Sequence, residues 1–219
     1  MASIVVLMGP QGAGKGTQAQ MVASVFGLPI VATGDILREI ASTNTPLGIK
    51  VRETQAAGHL VSDDILAEVI EGRLGKEDCR KGCILDGFPR TLPQAQLLEK
   101  ISSVLGHEIL AVSIEVPREQ LHERLGGRLT CTKCGAIYHK VYRPSRQAGI
   151  CDLDGAPLFT RSDDNAESIA KRLALYDEMT RPLLDYYRES GRLSSVDGTG
   201  SPQEVFGRVT KAIGARVSP

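Results

Sequence analysis

An α/β fold with a five-stranded, doubly wound parallel sheet is predicted for this chain by three observations. Short apolar runs rich in Val and Ile alternate with helix-like stretches along most of the 219 residues. That alternation produces parallel strands joined by crossover helices. The first run, Ser3–Met8, leads directly into a glycine-rich segment, and a helix-like stretch follows at Lys15–Phe26. Trp is absent and aromatics make up 4% of the chain, so the core must be mostly aliphatic.

Taken in order, Ser3–Met8 reads as a buried parallel strand, being short, apolar and β-branched. Lys15–Phe26 is a helix and Pro29–Ala32 a second short strand. Two helices follow, Asp35–Ala41 and Leu47–Ala57, divided by Asn44-Thr45-Pro46. Ser62–Leu74 is an amphipathic helix. Cys83–Asp86 is a strand ending at Asp86-Gly87-Phe88-Pro89-Arg90, and Thr91-Leu92-Pro93-Gln94 is a capping box opening the next helix. Ile109–Glu115 is a strand and Arg118–Leu125 a helix. From Gly126 to Asp163 Gly, Pro, Cys and Arg replace helical periodicity, the composition of an inserted, loop-rich subdomain. One long helix is expected from Asn165 to Tyr187 and a last strand at Leu193–Val196. Ser201-Pro202-Gln203-Glu204 is a capping box with Pro at the first helical position of a helix running to Ile213. In such sheets ligands sit beyond the strand C-termini.

The segment Gly9-Pro10-Gln11-Gly12-Ala13-Gly14-Lys15-Gly16-Thr17 stands at the first of these strand ends. Glycines let successive backbone N–H groups turn toward one point, and the following helix adds its positive dipole end. The spacing is that of the phosphate-binding loop G-x-x-x-x-G-K, with Lys15 placed to reach the outer phosphates of a nucleotide. The core is therefore P-loop NTPase-like. One position departs: Gly16 stands where Ser or Thr is expected, and Thr17 comes one later.

Lys+Arg and Asp+Glu are both 26, so formal net charge is zero and no global basic field favours general nucleic-acid binding. No apolar run approaches the ~20 residues needed to span a bilayer, and the N-terminal run carries no basic region or cleavage site. A soluble cytoplasmic protein, with no nucleic-acid or membrane partner, is expected. Of the five cysteines, Cys79 and Cys83 flank a strand entry and read as buried apolar residues. The odd count argues against a disulfide framework.

With the phosphate loop, Thr33-Gly34-Asp35-Ile36-Leu37-Arg38, Leu85-Asp86-Gly87-Phe88-Pro89-Arg90-Thr91, Arg161 and Arg172 in this order, the chain resembles the adenylate kinase family along essentially its full length. Lys-Gly-Thr is that family's own form of the loop. The resemblance implies a core of residues 1–31, 62–126 and 165–219, a helical AMP-binding insert at 32–61 and a lid at 127–164. The implied reaction is ATP + AMP ⇌ 2 ADP with Mg²⁺, carried out by a monomer. It also implies site residues. Gly12, Ala13, Gly14, Lys15, Gly16 and Thr17 would hold ATP phosphates together with Arg124 and Arg128. Ile137 and Tyr138, with His139 adjacent, would cover the ATP adenine, and the carbonyl of Gly200 would meet its edge. On the AMP side stand Thr33, Arg38, His59, Leu60, Val61, Gly87, Phe88, Pro89, Arg90, Arg161 and Arg172. Gln94 would read the AMP base, or else only complete the capping box.

The chemistry fits the residue types. Phosphoryl transfer is mainly positioning and charge stabilisation, and the planar guanidinium fork pairs with phosphate oxygens. Lys15, Arg90, Arg124, Arg128, Arg161 and Arg172 are the catalytic candidates, with Arg38 on the acceptor side. Asp86, at a strand end, would hold Mg²⁺ through waters, supported by Asp35. No strong base is needed, because the acceptor is already a phosphate oxygen. In the lid, Cys131-x₂-Cys134 is followed after sixteen residues by Cys151-x₂-Asp154. Two such pairs supply four ligands to a tetrahedral metal, and three thiolates favour structural Zn²⁺. The combination matches the metal-bearing lid of some adenylate kinases. Gly126-Gly127 would serve as the lid's hinge. Another nucleoside-monophosphate kinase is the nearest alternative, opposed by the long lid and Gln94. A zinc-ribbon nucleic-acid module is the other, opposed by the neutral charge.

Overall fold

The computed structural model describes residues 2–56, 61–161 and 164–214. Its central sheet has five parallel strands in the order β2-β3-β1-β4-β8: β1 Ser3–Met8, β2 Ile30–Ala32, β3 Gly82–Asp86, β4 Glu108–Glu115 and β8 Leu193–Asp197. The register sets Val6 between Leu85 and Ala111, and Ile114 beside Val196. β1 is buried along its whole length, as a strand covered on both faces must be.

The period-2 alternation of strand side chains divides the core in two. Ile4, Val6, Met8, Cys83, Leu85, Ile109 and Ala111 face one way. Against them pack α4 (Asp63–Leu74), α5 (Leu92–Leu105) and α8 (Pro182–Glu189), through Leu66, Ile70, Leu74, Ala95, Leu98, Leu183 and Tyr187. On the same side lie α2 (Thr33–Ser42) and α3 (Pro46–Ala56), which contribute Leu37, Ala41 and Val51. Val5, Leu7, Ile84, Leu110, Val112 and Ile114 face the other way. They meet α1 (Lys15–Phe26), α6 (Arg118–Gly126), α7 (Ala166–Leu175) and α9 (Pro202–Gly214) through Val22, Leu121, Leu125, Leu173, Val205 and Val209. Fully burying each such side chain contributes about 1.5–3 kcal/mol. The capping box at Ser201 forms in full, whereas that at Thr91 forms by half, since Gln94 Oε1 accepts the N–H of Arg90 and not that of Thr91. Thr91 Oγ1 accepts the Gln94 N–H at 3.4 Å, and Ser201 and Glu204 cap each other reciprocally, at 2.7 and 3.3 Å.

Two sequence expectations are corrected. The stretch 165–187 is not one regular α-helix: a π-helical turn over Tyr176–Thr180 separates α7 from α8. Pro182 has no N–H and its ring crowds the carbonyl four residues back, so the backbone widens. Arg181 N–H donates to the carbonyl of Tyr176, five residues back, at 2.8 Å. The loop-rich stretch 126–163 contains a second sheet, antiparallel, in the order β6-β5-β7: β5 Arg128–Cys131, β6 Ile137–His139 and β7 Leu158–Phe159. Its strands are two to four residues long, too short for periodicity to reveal. Cys131, Ala136, Tyr138 and Cys151 form its own small core. Among the described residues no helix is long and apolar enough to cross a membrane.

Gly82 opens β3 at φ 111°, and a β-carbon there would lie 2.3 Å from the carbonyl oxygen of Ser3 on the neighbouring strand. Gly82→Ala is therefore expected to destabilise the fold by about 3 kcal/mol or more, read from the midpoint of urea unfolding. An unchanged midpoint would contradict this close packing of β1 on β3.

Candidate active site

At the C-terminal end of β1 the chain turns through Gly9, Gly12 and Gly14, whose φ angles of 138°, 87° and 96° only glycine adopts readily. The turn delivers α1 with its first N–H groups open: Gly14 provides no side-chain cap, and the first turn has no acidic residue. Such a terminus offers donors and a positive field to an anion. Lys15 Nζ donates back to the carbonyls of Gly9 at 2.7 Å and Pro10 at 3.0 Å. The departure at Gly16 has a steric reason. A β-carbon there would stand 3.3 Å from both Asp86 Oδ2 and Ile137 Cδ1. Glycine lets the carboxylate ending β3 and the tip of β6 approach the loop together.

The loop forms one wall of a cleft of about 1160 Å³. Lys15, Arg38, Arg90, Arg124, Arg128, Arg161 and Arg172 all line it. They come from α1, α2, the segment after β3, α6, β5, the segment after β7, and α7. Burial lowers the Lys15 ammonium to about 8; Asp86 opposes the shift, while Arg90, Arg172 and Arg128 reinforce it. The Arg90 guanidinium is likewise shifted down, first by burial.

Each arginine is braced. Arg38 pairs with Asp35, and both are exposed. Arg90 Nε donates to the carbonyl of Gly87 at 2.8 Å, and Thr180 Oγ1 in the π-helical turn donates to the Arg90 carbonyl at 3.0 Å. Arg124 Nη2 donates to the carbonyl of Gly198 at 3.1 Å, and Arg161 Nε to Thr130 Oγ1 at 3.1 Å. Arg128 grips Asp164 with two arms, Nε at 2.7 Å from Oδ2 and Nη2 on Oδ1. Arg172 Nη1 reaches the same carboxylate at 3.3 Å. The Asp164 side chain is fully buried, so this one anion joins β5 to α7 and offsets two cations. Sequence reasoning missed it, although its place three residues after Arg161 was a signal.

The remaining site residues divide. Gly12, Ala13, Gly14, Gly16, Thr17, Ile137, Tyr138, Gly200, Gly87, Phe88 and Pro89 line the cleft, as do Asp35 and Asp86. Thr33, Val61 and Gln94 are buried beneath its surface. Both ends of the Gln94 carboxamide are engaged: Oε1 accepts the Arg90 N–H at 2.8 Å and Nε2 donates to Asp63 Oδ1 at 2.7 Å. His59 and Leu60 lie outside the described residues. In the loop after β8, the carbonyls of Asp197 and Thr199 accept from Arg208, that of Gly198 from Arg124, and that of Pro202 from Gln18. The carbonyl of Gly200 has no donor among the described residues and remains available at the cleft. Gly127 is confined rather than open, since a β-carbon there would lie 2.2 Å from His139 Nε2.

Beside this cleft, the ligand atoms of Cys131, Cys134, Cys151 and Asp154 all lie within 4.8 Å of one another. Cys134 Sγ and Cys151 Sγ are 3.6 Å apart, and Cys131 Sγ lies 3.4 Å from Asp154 Oδ1. Tetrahedral Zn²⁺ with its usual Zn–S distance spaces sulfurs by about 3.8 Å, so the donor set fits such an ion. Backbone N–H groups of Lys133 and Cys134 point at Cys131 Sγ, at 3.4 and 3.5 Å, and support a thiolate.

A sequence profile described as adenylate kinase matches residues 7–192 of the chain. A protein named adenylate kinase from Carboxydothermus hydrogenoformans is 46% identical over 210 residues, covering 95% of this chain and 98% of that protein. One from Caldanaerobacter subterraneus subsp. tengcongensis is 47% identical over 210 residues, 95% of each chain. One from a Geobacter species is 46% identical over 212 residues, 96% of this chain and 99% of that protein.

The lowered Lys15 ammonium generates a prediction. In the free protein it loses its proton as pH rises through about 8, and bound phosphates raise its affinity for the proton. ATP binding at pH 8.5 is then expected to take up on the order of half a proton more in the native protein than in Lys15→Met. Titration calorimetry in buffers of different ionisation enthalpy measures the difference; equal uptake would contradict it.

Proposed function

The chain belongs to the adenylate kinase family, and from that premise we propose how its own residues carry the reaction. The enzyme is a phosphotransferase acting on ATP and AMP. In our reading the ATP γ-phosphoryl passes to AMP, giving two ADP, and the reverse reaction shares the cleft; the role is adenine nucleotide homeostasis. The observation that carries this reading is the convergence of seven cations, from seven segments, on one cleft with an uncapped helix terminus in its wall.

Two nucleotides meeting phosphate to phosphate repel each other, and only a dense set of fixed donors offsets that. Lys15 and the amides from Gly12 to Thr17 hold the donor phosphates, with Arg124 and Arg128. Arg38, Arg90, Arg161 and Arg172 take the acceptor phosphate, Arg90 and Arg172 standing closest to Lys15's field. The Gly200 carbonyl accepts from the adenine amine, and Ile137 and Tyr138 cover the ATP adenine, Ile137 also meeting the loop at Gly16. Thr33, Val61 and Gln94, together with His59 and Leu60, serve the acceptor base from one layer further in. Gln94 also orders Arg90 by accepting its backbone N–H.

Members of the family use Mg²⁺ with ATP, and the ion supplies charge neutralisation between phosphate oxygens. Asp86 suits a water-mediated hold: its carboxylate lies at the cleft floor and makes no ion pair within 4.0 Å among the described residues. Zn²⁺ at Cys131, Cys134, Cys151 and Asp154 is structural, because four protein ligands leave no open position. We assign residues 127–164 as a lid, 32–61 as the AMP-binding insert, and 1–31, 62–126 and 165–219 as the core. The separate sheet and separate small core of β5–β7 support the lid. We read the enzyme as a monomer. Reduced thiolate ligands suit the cytoplasm.

Three experiments test this reading. ADP formation from MgATP with AMP, CMP, UMP or GMP is expected to be strongest with AMP, and preference for another monophosphate would overturn the acceptor assignment. Lys15→Ala is expected to lower kcat at least 100-fold with an unchanged circular dichroism spectrum; near-normal turnover would remove Lys15 from the site. Chelation of the metal should loosen 127–164 before the core unfolds, seen as earlier proteolysis within that stretch. Identical proteolysis of metal-free and metal-loaded protein would exclude a structural metal.

A further inference from the structure

The hydroxyl of Tyr138 has an engagement that adenine covering does not explain. The ring is 3% exposed and packs with Cys131, Ala136 and Cys151. Its Oη accepts the backbone N–H of Asp152 at 2.8 Å and lies 3.5 Å from Cys151 Sγ. A phenol has one hydrogen. With Asp152 donating to the oxygen, that hydrogen is left for the sulfur. A metal-bound thiolate would have no proton to give, so with an ion in place Tyr138 would donate and Cys151 accept.

The position of Tyr138 in β6 gives this bond reach. The residue before it, Ile137, is the side chain that closes on the phosphate loop at Gly16. The residue after it, His139, fills the space beside Gly127 and accepts the N–H groups of Val141 and Tyr142 through Nδ1, both at 3.0 Å. Three successive residues thus touch the phosphate loop, the metal ligands and the entrance to the small sheet. Arg143 lies over the Tyr138 ring, 5.6 Å from its centroid, and closes the outer side.

We propose that Tyr138 is a positioning residue whose hydroxyl donates to the Cys151 thiolate. It ties the metal centre to β6 and so sets Ile137 over the ATP phosphates. The proposal rests on the metal reading of the cysteine cluster given above. Outer-shell donors of this kind orient a ligand and raise metal affinity.

The test compares Tyr138→Phe, which removes only the oxygen, with the native full-length chain. Zn²⁺ affinity, measured by competition with a chromogenic chelator, is expected to fall about 10–100-fold. In the Co²⁺-loaded protein the thiolate-to-metal charge-transfer band should move to lower energy, because a sulfur without its hydrogen bond holds its electrons less tightly. KM for ATP should rise while KM for AMP stays the same. Unchanged affinity and an unchanged band in Tyr138→Phe would show that Tyr138 only fills space and would overturn the proposal. Failure of the native chain to take up either ion would instead overturn the metal reading. Should Tyr138→Phe not fold, 3-fluorotyrosine placed at position 138 keeps the shape and strengthens the donor. The band should then move to higher energy, and no movement would reject the proposal.

Discussion

Burial of cations, made costlier by their mutual repulsion, is what this fold has to withstand. Lys15 and eight arginines line one cleft, and positive groups outnumber the carboxylates along it. The cost appears at Lys15, whose ammonium falls from 10.5 to about 8 through burial and its arginine neighbours. Its folded value lies below its unfolded value, so the fold holds this proton more weakly than the unfolded chain does. The penalty is full below pH 8, shrinks as pH rises and is gone above the unfolded value. Its size is on the order of 3 kcal/mol, a large share of the stability of an ordinary domain. In the proposed reading nucleotide phosphates would supply the missing negative charge, and the same cost would become affinity when ligands arrive.

The fold tolerates this because the cations hang from a rigid frame. The sheet has an aliphatic core on each face, and the strand ends bring β1, β3 and β8 to the same edge. Asp164 removes part of the strain by pairing with Arg128 and Arg172 at once. A buried carboxylate gripped by two arginines is costly to unpair, so the link between the small sheet and α7 is firm. The close approach at Gly16, with Asp86 and Ile137 both at 3.3 Å from a would-be β-carbon, brings the end of β3 and the tip of β6 onto the loop.

Much of this was legible in the chain. The apolar runs gave the five strands, and their connection by helices gave the parallel topology. Gly9 to Thr17 announced the phosphate loop, and the spacing of Cys131, Cys134, Cys151 and Asp154 announced the ligand cluster that the fold assembles. Local signals sufficed there because the geometry is made by neighbours in sequence. They failed where distant partners decide. Asp164 reads as a solvated loop carboxylate until β5 brings Arg128 to it. The chain likewise gives no sign that the Gln94 carboxamide is braced by the Arg90 N–H and by Asp63, thirty-one residues away. Strands of two to four residues carry too few alternations to separate them from loop, and the effect of Pro182 on 165–187 depended on whether the backbone would break or widen.

Lys15 opposes stability in order to serve binding. The most direct measurement is the thermal unfolding of Lys15→Met beside the native protein at pH 7, each alone and with a bisubstrate ligand of two adenosines joined through a phosphate chain. The account predicts that the variant melts no lower than the native protein without ligand and loses most of the ligand's stabilisation. A variant that melts far lower when unliganded, yet gains as much from the ligand as the native protein does, would contradict it.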